Sequence, residues 1–263
     1  MLVVFSLATT NYAMIQSSPE PKRRTFTISG KAGMAGVKMI GLPGNPVTDS
    51  SGSYNATVEY NWSGTITPIK EGCTFEPSSR IYAKLTSDFT DHDYAPAIIT
   101  FTISGQVGLS GVEMRGLPGN IVSSGATGSY SSTVMYGWSG KVMPAKEGYM
   151  FKPAEIEYTN IVSNLKNQNY AAEQLMFTIS DVVIIGDNPI PGIQVSAGNG
   201  VQSCVTDALG RFSVKVPYGW SGELKFDKEG FQFNPPTRSF TNVTTNIRNG
   251  QPEQPARSAG MMY

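Results

Sequence analysis

The sequence predicts an all-β chain of three tandem β-sandwich domains, with one strand standing ahead of them. Three observations predict it. A unit of about 75 residues, measured from Thr25 to Thr100, occurs three times. Within each unit, short alternating apolar segments rich in Thr, Val, Ile, Tyr and Phe are separated by Gly, Pro and Asp turns, and no stretch keeps a helical period. The two ends of the chain do not match: the front carries a last strand with no domain before it, and the third unit loses its own.

The units open with TFTISGKAGMAGVKMIGLPGN at Thr25, TFTISGQVGLSGVEMRGLPGN at Thr100 and MFTISDVVIIGDNPIPGIQVSAGNG at Met176. FTIS alternates and reads as a strand, followed by a Gly-rich turn. GVKMIGL and NATVEY read as half-buried strands. GLPGN (41–45 and 116–120) leads into no helix, so it is expected to be a turn rather than a phosphate cradle. In TDSSGSY and TDALGRF, Asp49 and Asp207 are placed to bond their own backbone, and Gly52 and Gly210 to take positive φ; the second unit has Gly125 in place of the Asp, which favours turns over a calcium site. The middles, SYNATVEYNWSG, SYSSTVMYGWSG and RFSVKVPYGWSG, bring Trp62, Trp138 and Trp220 to one position beside Ser-Gly, which suits packing better than a sugar platform.

The first two units close with LTSDFTDHDYAPA and IVSNLKNQNYAAE. Leu85 matches Ile161, Phe89 matches Leu165 and Tyr94 matches Tyr170. The third, VTTNIRNGQPEQ, keeps Val243 and Ile247 but has Pro252 where the Tyr is due, and Pro cannot donate to a ladder. The front of the chain, VVFSLATTNYAMI, aligns with the second closing phrase without insertion: Val3 on Ile161, Leu7 on Leu165, Tyr12 on Tyr170. Its apolar run lacks the charged flank of a secretory signal. The segment therefore reads as a donor strand (Val3, Phe5, Leu7, Tyr12) for an acceptor in the third domain beside Val243 and Ile247, a head-to-tail contact that does not close and so builds a filament. From Tyr12 to Phe26 is fourteen residues, against seven from Tyr94 to Phe101 and from Tyr170 to Phe177. The expected organisation is a donor strand at 1–16, a linker at 17–24, domains at 25–98, 99–174 and 175–250, and a tail at 251–263.

Charged residues make up 15% of the 263, against about 25% in an average soluble domain. The 20 Lys and Arg balance the 20 Asp and Glu. A neutral chain has no basic field for nucleic acid and does little to oppose self-association. No apolar run approaches the roughly 18 residues of a membrane span. The single His, His92, faces Gln168 in the alignment and is expected on the surface. Cys73 and Cys204 occupy different positions of the repeat and are expected as free thiols. No catalytic motif is present and no cofactor or metal is expected. Sequons at Asn55, Asn61 and Asn242 make glycans the second class of partner, after the chain itself.

The pattern TISG…GV…TD..G.Y….WSG…P.KEGY.F.P……NV resembles the Ig-like, carboxypeptidase-regulatory-like repeats of secreted and cell-surface bacterial proteins, over residues 25–250. The resemblance implies Ig-like sandwiches and a role as stalk, adhesin or enzyme accessory. The strand lost at one end and present at the other looks like a donor-strand pilus subunit in mechanism. Cna-type surface domains carry Lys–Asn isopeptide bonds; here Lys38 becomes Glu113 and then Gln194, and no repeated lysine supports one. The expectation is a non-enzymatic subunit of an extracellular bacterial filament, with a carbohydrate-binding or adhesive module of a larger protein as the alternative.

Overall fold

A computed structural model describes residues 23–198, 200–249 and 251–252. It is all-β, with no helix among these residues. The chain divides into two compact units, the first ending at Ile99 and the second beginning at Thr100.

In the first unit the strands are β1 (Thr25–Lys31), β2 (Lys38–Ile40), β3 (Ser53–Glu59), β4 (Gly64–Ile69), β5 (Cys73–Glu76), β6 (Arg80–Tyr82) and β7 (Ala95–Ile98). β1 pairs antiparallel with β3, β2-β4-β6 form a second sheet, and β5 pairs antiparallel with β7. Alternation along the strands sends one side chain in two inward. Ile28, Tyr54 and Val58 from the first sheet meet Met39, Ile66 and Tyr82 from the second in one buried cluster. Burying each such side chain contributes about 1.5–3 kcal/mol.

The second unit contains two more buried clusters, each drawn from one repeat. Its first half repeats the pattern with β8 (Thr100–Gln106), β9 (Glu113–Arg115), β10 (Ser129–Met135), β11 (Trp138–Ala145), β12 (Tyr149–Lys152), β13 (Ile156–Ile161) and β14 (Ala171–Gln174). Its second half has β15 (Met176–Val182), β16 (Ile184–Ile185), β17 (Asn188–Pro189), β18 (Gln194–Ala197), β19 (Cys204–Val205), β20 (Arg211–Pro217), β21 (Trp220–Asp227), β22 (Thr237–Val243), β23 (Ile247–Arg248) and β24 (Gln251–Pro252). Here the sheets run β20-β15-β23-β24 and β19-β18-β21-β22, and the extra residues of the third repeat form the β16–β17 hairpin.

The repeated phrases have repeated jobs. The buried hydroxyls of Thr48, Ser123 and Thr206 each accept the N–H of the strand start (Val37, Val112, Ile193) and donate to a carbonyl of the preceding turn (Met34, Leu109, Ile190). In GLPGN, Gly41 and Gly116 take φ of +99° and +93°, and a Cβ at either would sit 1.9 Å from a carbonyl oxygen of the neighbouring strand. This is the expected turn. Asp49 Oδ1 accepts the N–H groups of Ser51 and Ser53, and Asp207 Oδ1 those of Leu209 and Arg211, as a turn-forming Asp does. In each Trp-Ser-Gly, the indole folds over its own glycine, where a Cβ would approach a ring carbon to 2.5–2.6 Å. The serine hydroxyl accepts a backbone N–H at 2.8 Å, from Lys84, Asn160 or Asn242.

Candidate functional site

The feature that separates the third repeat from the others is the seat of its closing segment. In the first repeat this segment runs parallel to β1. Phe89 N–H donates to Thr27 O and Phe89 O accepts from Ser29 N–H, both at 2.8 Å; His92 N–H donates to Ser29 O at 3.1 Å and Tyr94 N–H to Lys31 O at 2.8 Å. Two carboxylates finish the row, Asp88 Oδ1 accepting from Thr27 N–H and Asp93 Oδ1 from Lys31 N–H, each at 2.7 Å. The second repeat does the same through Leu165, Gln168 and Tyr170, with Asn164 and Asn169 in place of the aspartates.

Three further groups fit this segment. Tyr54 OH donates to His92 O at 2.6 Å, and Tyr130 OH to Gln168 O at 2.5 Å. Tyr94 and Tyr170 are buried, with their hydroxyls donating to Ile66 O (3.4 Å) and Val142 O (3.0 Å). Burial pushes the Tyr94 phenol up to about 12 and raises Tyr54, Tyr130 and Tyr170 further, so all four remain hydroxyl donors at any physiological pH. Finally, Gly30 and Gly105 lie directly beneath the segment: a Cβ there would sit 2.4 Å from His92 O and 2.0 Å from Gln168 O.

The third repeat begins the same way. Asn246 Oδ1 accepts from Thr178 N–H, Ile247 lies parallel to Ile179, and Asn249 N–H donates to Ser180 O. Then the chain turns back, and Gln251–Pro252 pairs antiparallel with β23 instead of continuing along β15. The groups that seat the segment elsewhere have changed together. Phe212 and Phe240 stand where Tyr54/Tyr130 and Tyr82/Tyr158 carry hydroxyls. Asp181 stands where Gly30 and Gly105 are needed, and it pairs with Arg238 Nη1 at 2.6 Å in a partly buried contact. Phe226, where the other repeats have Pro68 and Pro144, gives Phe212 an edge-on aromatic neighbour at 5.6 Å, replacing the Tyr54–Tyr94 and Tyr130–Tyr170 pairs.

One segment is left without a strand partner among the described residues. β7 pairs with β5 over four residues (Cys73↔Ile98 to Glu76↔Ala95), and β14 pairs with β12 (Tyr149↔Gln174 to Lys152↔Ala171). The third-repeat counterpart of β5 and β12 is Phe231–Asn234 in KEGFQFNP. It forms no strand, and no described segment pairs with it. Phe75 and Phe151 are buried, but Phe233 in the same position is only half-buried, and Phe231 is 38% exposed.

Val243 and Ile247, beside which the acceptor is expected, belong to the third repeat's own core. Val243 is buried in its own core, paired across from Trp220, and Ile247 is half-buried against the same cluster. Their own chain already occupies those positions, because the closing segment departs only after Arg248. The expected donor residues Val3, Phe5, Leu7 and Tyr12 lie outside the described residues. Asn55, Asn61 and Asn242 are exposed, the last two with φ of +63° and +49°. His92, expected on the surface, is instead stacked on Tyr82 and edge-on to Phe89, with Nδ1 2.5 Å from Tyr82 OH. The packing follows from the Gly30 contact, which draws the residue-92 backbone inward. Trp62 and Trp138 are half-buried and Trp220 is buried, each packed on its repeat's core. Cys73 and Cys204 are both free. Among the described residues no helix is long and apolar enough to cross a membrane.

No family model matches the sequence. The chitinase ChiA of Flavobacterium johnsoniae is 28% identical over 194 residues; the match takes in 65% of this chain and 12% of that protein. Among solved structures, the TIE protein of Bacillus anthracis aligns with a TM-score of 0.59 at 13% identity, over 85% of this chain and 49% of that one. The likeness is one of fold. BcpA, the major pilin subunit of Bacillus cereus, aligns with a TM-score of 0.44 at 10% identity, over 88% of this chain and 100% of that one.

Proposed function

We propose that this chain is a non-enzymatic structural subunit of an extracellular bacterial filament, built of three Ig-like domains and joined head to tail by insertion of its N-terminal segment into the third domain of a neighbouring subunit. One observation carries the reading. Among the described residues the third repeat alone is without the strand that follows the closing Tyr in the other two, and the phrase that would supply it, Asn-Tyr-Ala, stands at 11–13 as it does at 169–171. An unpaired edge invites a strand from another chain. Deleting residues 1–16 is the direct test. Microscopy and sedimentation of the intact chain should find filaments, and the deleted chain should stay monomeric; filaments from the deleted chain would end the proposal.

A second reading has its own support. The chitinase relative is matched over only 12% of its length, as expected of a repeat module carried by a larger enzyme. The chain would then be a spacer or a carbohydrate-binding accessory. Binding to insoluble chitin, lost on replacing Trp62 and Trp138 by Ala in a chain that still folds, would favour it. A chain that never associates and binds no glycan would leave the spacer role.

A further inference from the structure

We propose that the acceptor for the incoming strand is the edge Phe231–Asn234, and that its occupant is residues Ala13–Gln16 of a second copy of this chain. The inference rests on the filament reading and names the surface on which it operates.

The argument starts from what β7 and β14 do. Each follows a buried Tyr and pairs antiparallel with the strand after Lys-Glu-Gly, β7 on β5 and β14 on β12. Each ladder ends in a bond that leads the chain into the next repeat: Ile99 N–H to Gly72 O at 2.9 Å, and Leu175 N–H to Gly148 O at 2.8 Å. In the third repeat the acceptor half of this junction is kept in sequence, KEGFQFNP against KEGCTFEP and KEGYMFKP, while its donor half is gone. The front of the chain reads Tyr-Ala-Met-Ile-Gln at 12–16, against Tyr-Ala-Pro-Ala-Ile at 94–98 and Tyr-Ala-Ala-Glu-Gln at 170–174, and it too leads into a repeat. Pairing 13–16 with 231–234 therefore rebuilds between molecules the junction that the chain builds twice within itself.

The same structure excludes the alternative path along β15. A strand in the register of residues 165–170 would bring a carbonyl against residue 181, where Gly105 already leaves no room for a Cβ and the third repeat has an ion-paired Asp. Phe226 has also taken up the aromatic contact to Phe212 that the closing Tyr would make. The edge at 231–234 has no such obstruction. Gln232 has no hydrogen-bond partner among the described residues, and Phe231 is 38% exposed. The register follows from β12–β14: Phe231 opposite Gln16, Gln232 opposite Ile15, Phe233 opposite Met14 and Asn234 opposite Ala13. Because residues 148 and 175 exchange a bond, Phe231 and Gln16 form a non-hydrogen-bonded pair, the closer kind, at about 4.5 Å between Cα atoms.

That distance suits a disulfide. In a Cys73→Ser, Cys204→Ser background, full-length chains carrying Phe231→Cys are mixed with chains carrying Gln16→Cys and oxidised mildly. The first repeat has Cys73 at the position of Phe231, so the substitution suits the site. The expected product is a mixed dimer linked 16 to 231, confirmed by peptide mapping; Gln232→Cys in place of Phe231→Cys should link far less. With both cysteines in one chain, a ladder of oligomers supports the second copy, and a monomer closed on itself overturns it. No link in samples that contain filaments overturns this edge and leaves the filament reading standing. A link without filaments supports the edge and overturns the filament reading; neither overturns both. As an independent check, Gln232→Pro in the otherwise natural chain removes an N–H that the isolated chain does not use. It should leave folding intact, read by circular dichroism, and weaken association roughly tenfold or more; unchanged association would overturn the proposal.

Discussion

His92 shows how a single residue is placed by its neighbours. It occupies the position of Gln168, and both are fixed through their backbone carbonyl by a tyrosine hydroxyl and through their side chain by a second one, Tyr82 for His92 and Tyr158 for Gln168. The amide of Gln168 bonds Tyr158 at any pH, whereas the imidazole titrates. Burial holds the His92 pKa below its ordinary 6.5, and the Arg80 guanidinium lowers it further, against the opposing charges of Asp91 and Asp93. Arg80 and Tyr82 face it from β6, and Asp91, Asp93 and Phe89 from its own segment. A histidine held neutral by the fold binds fewer protons folded than unfolded. Its contribution is therefore complete above pH 6.5 and is lost as pH falls from 6.5 through the lowered folded value. The first unit should lose stability in that window, seen as a falling denaturation midpoint of the β1 and β3 amides by hydrogen exchange. His92→Gln, which installs the second repeat's solution, should remove the loss. A midpoint equally pH-dependent in that variant would show that other groups set it.

At the scale of the element, the closing segment is held by a glycine beneath it as much as by the bonds along it. Gly105→Ala places a methyl 2.0 Å from Gln168 O, against backbone that cannot rotate away. The segment must lift from β8, at a cost of roughly 1–3 kcal/mol as for other overpacked sites. Asp181→Ala, where no described segment passes, loses the partly exposed ion pair to Arg238 and the bond that Asp181 Oδ1 accepts from Val182 N–H, each worth about 1 kcal/mol or less. Amide exchange of β8 and β10 in the first variant, and of β15 and β20 in the second, measures both; equal losses would mean that the closing segment does not bear on Gly105. The contrast also marks how far the sequence could be read. Period, turns and alternation are local, so TISG, GLPGN, the Asp49 and Asp207 turns and the packed tryptophans were legible residue by residue. The departure at Pro252 was legible too, because proline and an absent Tyr are local facts. The joint change of Tyr130 to Phe212, Tyr158 to Phe240, Gly105 to Asp181 and Pro144 to Phe226 was printed in the same alignment. Its meaning lies in the fold, where Tyr130, Tyr158 and Gly105 all meet the closing segment at Gln168 and Phe226 packs on Phe212. The edge at 231–234 escapes the sequence for the same reason: its phrase is intact, and what it lacks is a partner that in the second repeat lies 21 residues further on, as Ala172 does from Phe151.

At the scale of the molecule, what matters for a structural role is whether consecutive repeats transmit force or swivel. The second unit contains a joint between two repeats. Leu175 donates its N–H to Gly148 O at 2.8 Å and accepts from Tyr218 N–H at 2.9 Å, so one residue belongs to both ladders. The Tyr218 ring lies against Gly148, where a Cβ would be 2.8 Å from the ring, and its hydroxyl donates to Glu147, a bond that raises the phenol's pKa. The hydroxyl is solvent-exposed and its bond is weak in water, whereas the ring and the shared Leu175 ladder join the repeats by contact and by geometry. The two repeats of this unit should therefore unfold together, in a single calorimetric transition. Tyr218→Phe keeps the ring and should leave the second unit's transition single. Tyr218→Ala removes the ring over Gly148 and should split that transition in two, and Leu175→Pro, which deletes the bond to Gly148, should do the same. Two transitions already present in the natural second unit would show that the joint does not couple its repeats. In that case the two repeats would swivel about Leu175, and a filament that repeats this joint between subunits would be flexible at every copy of it.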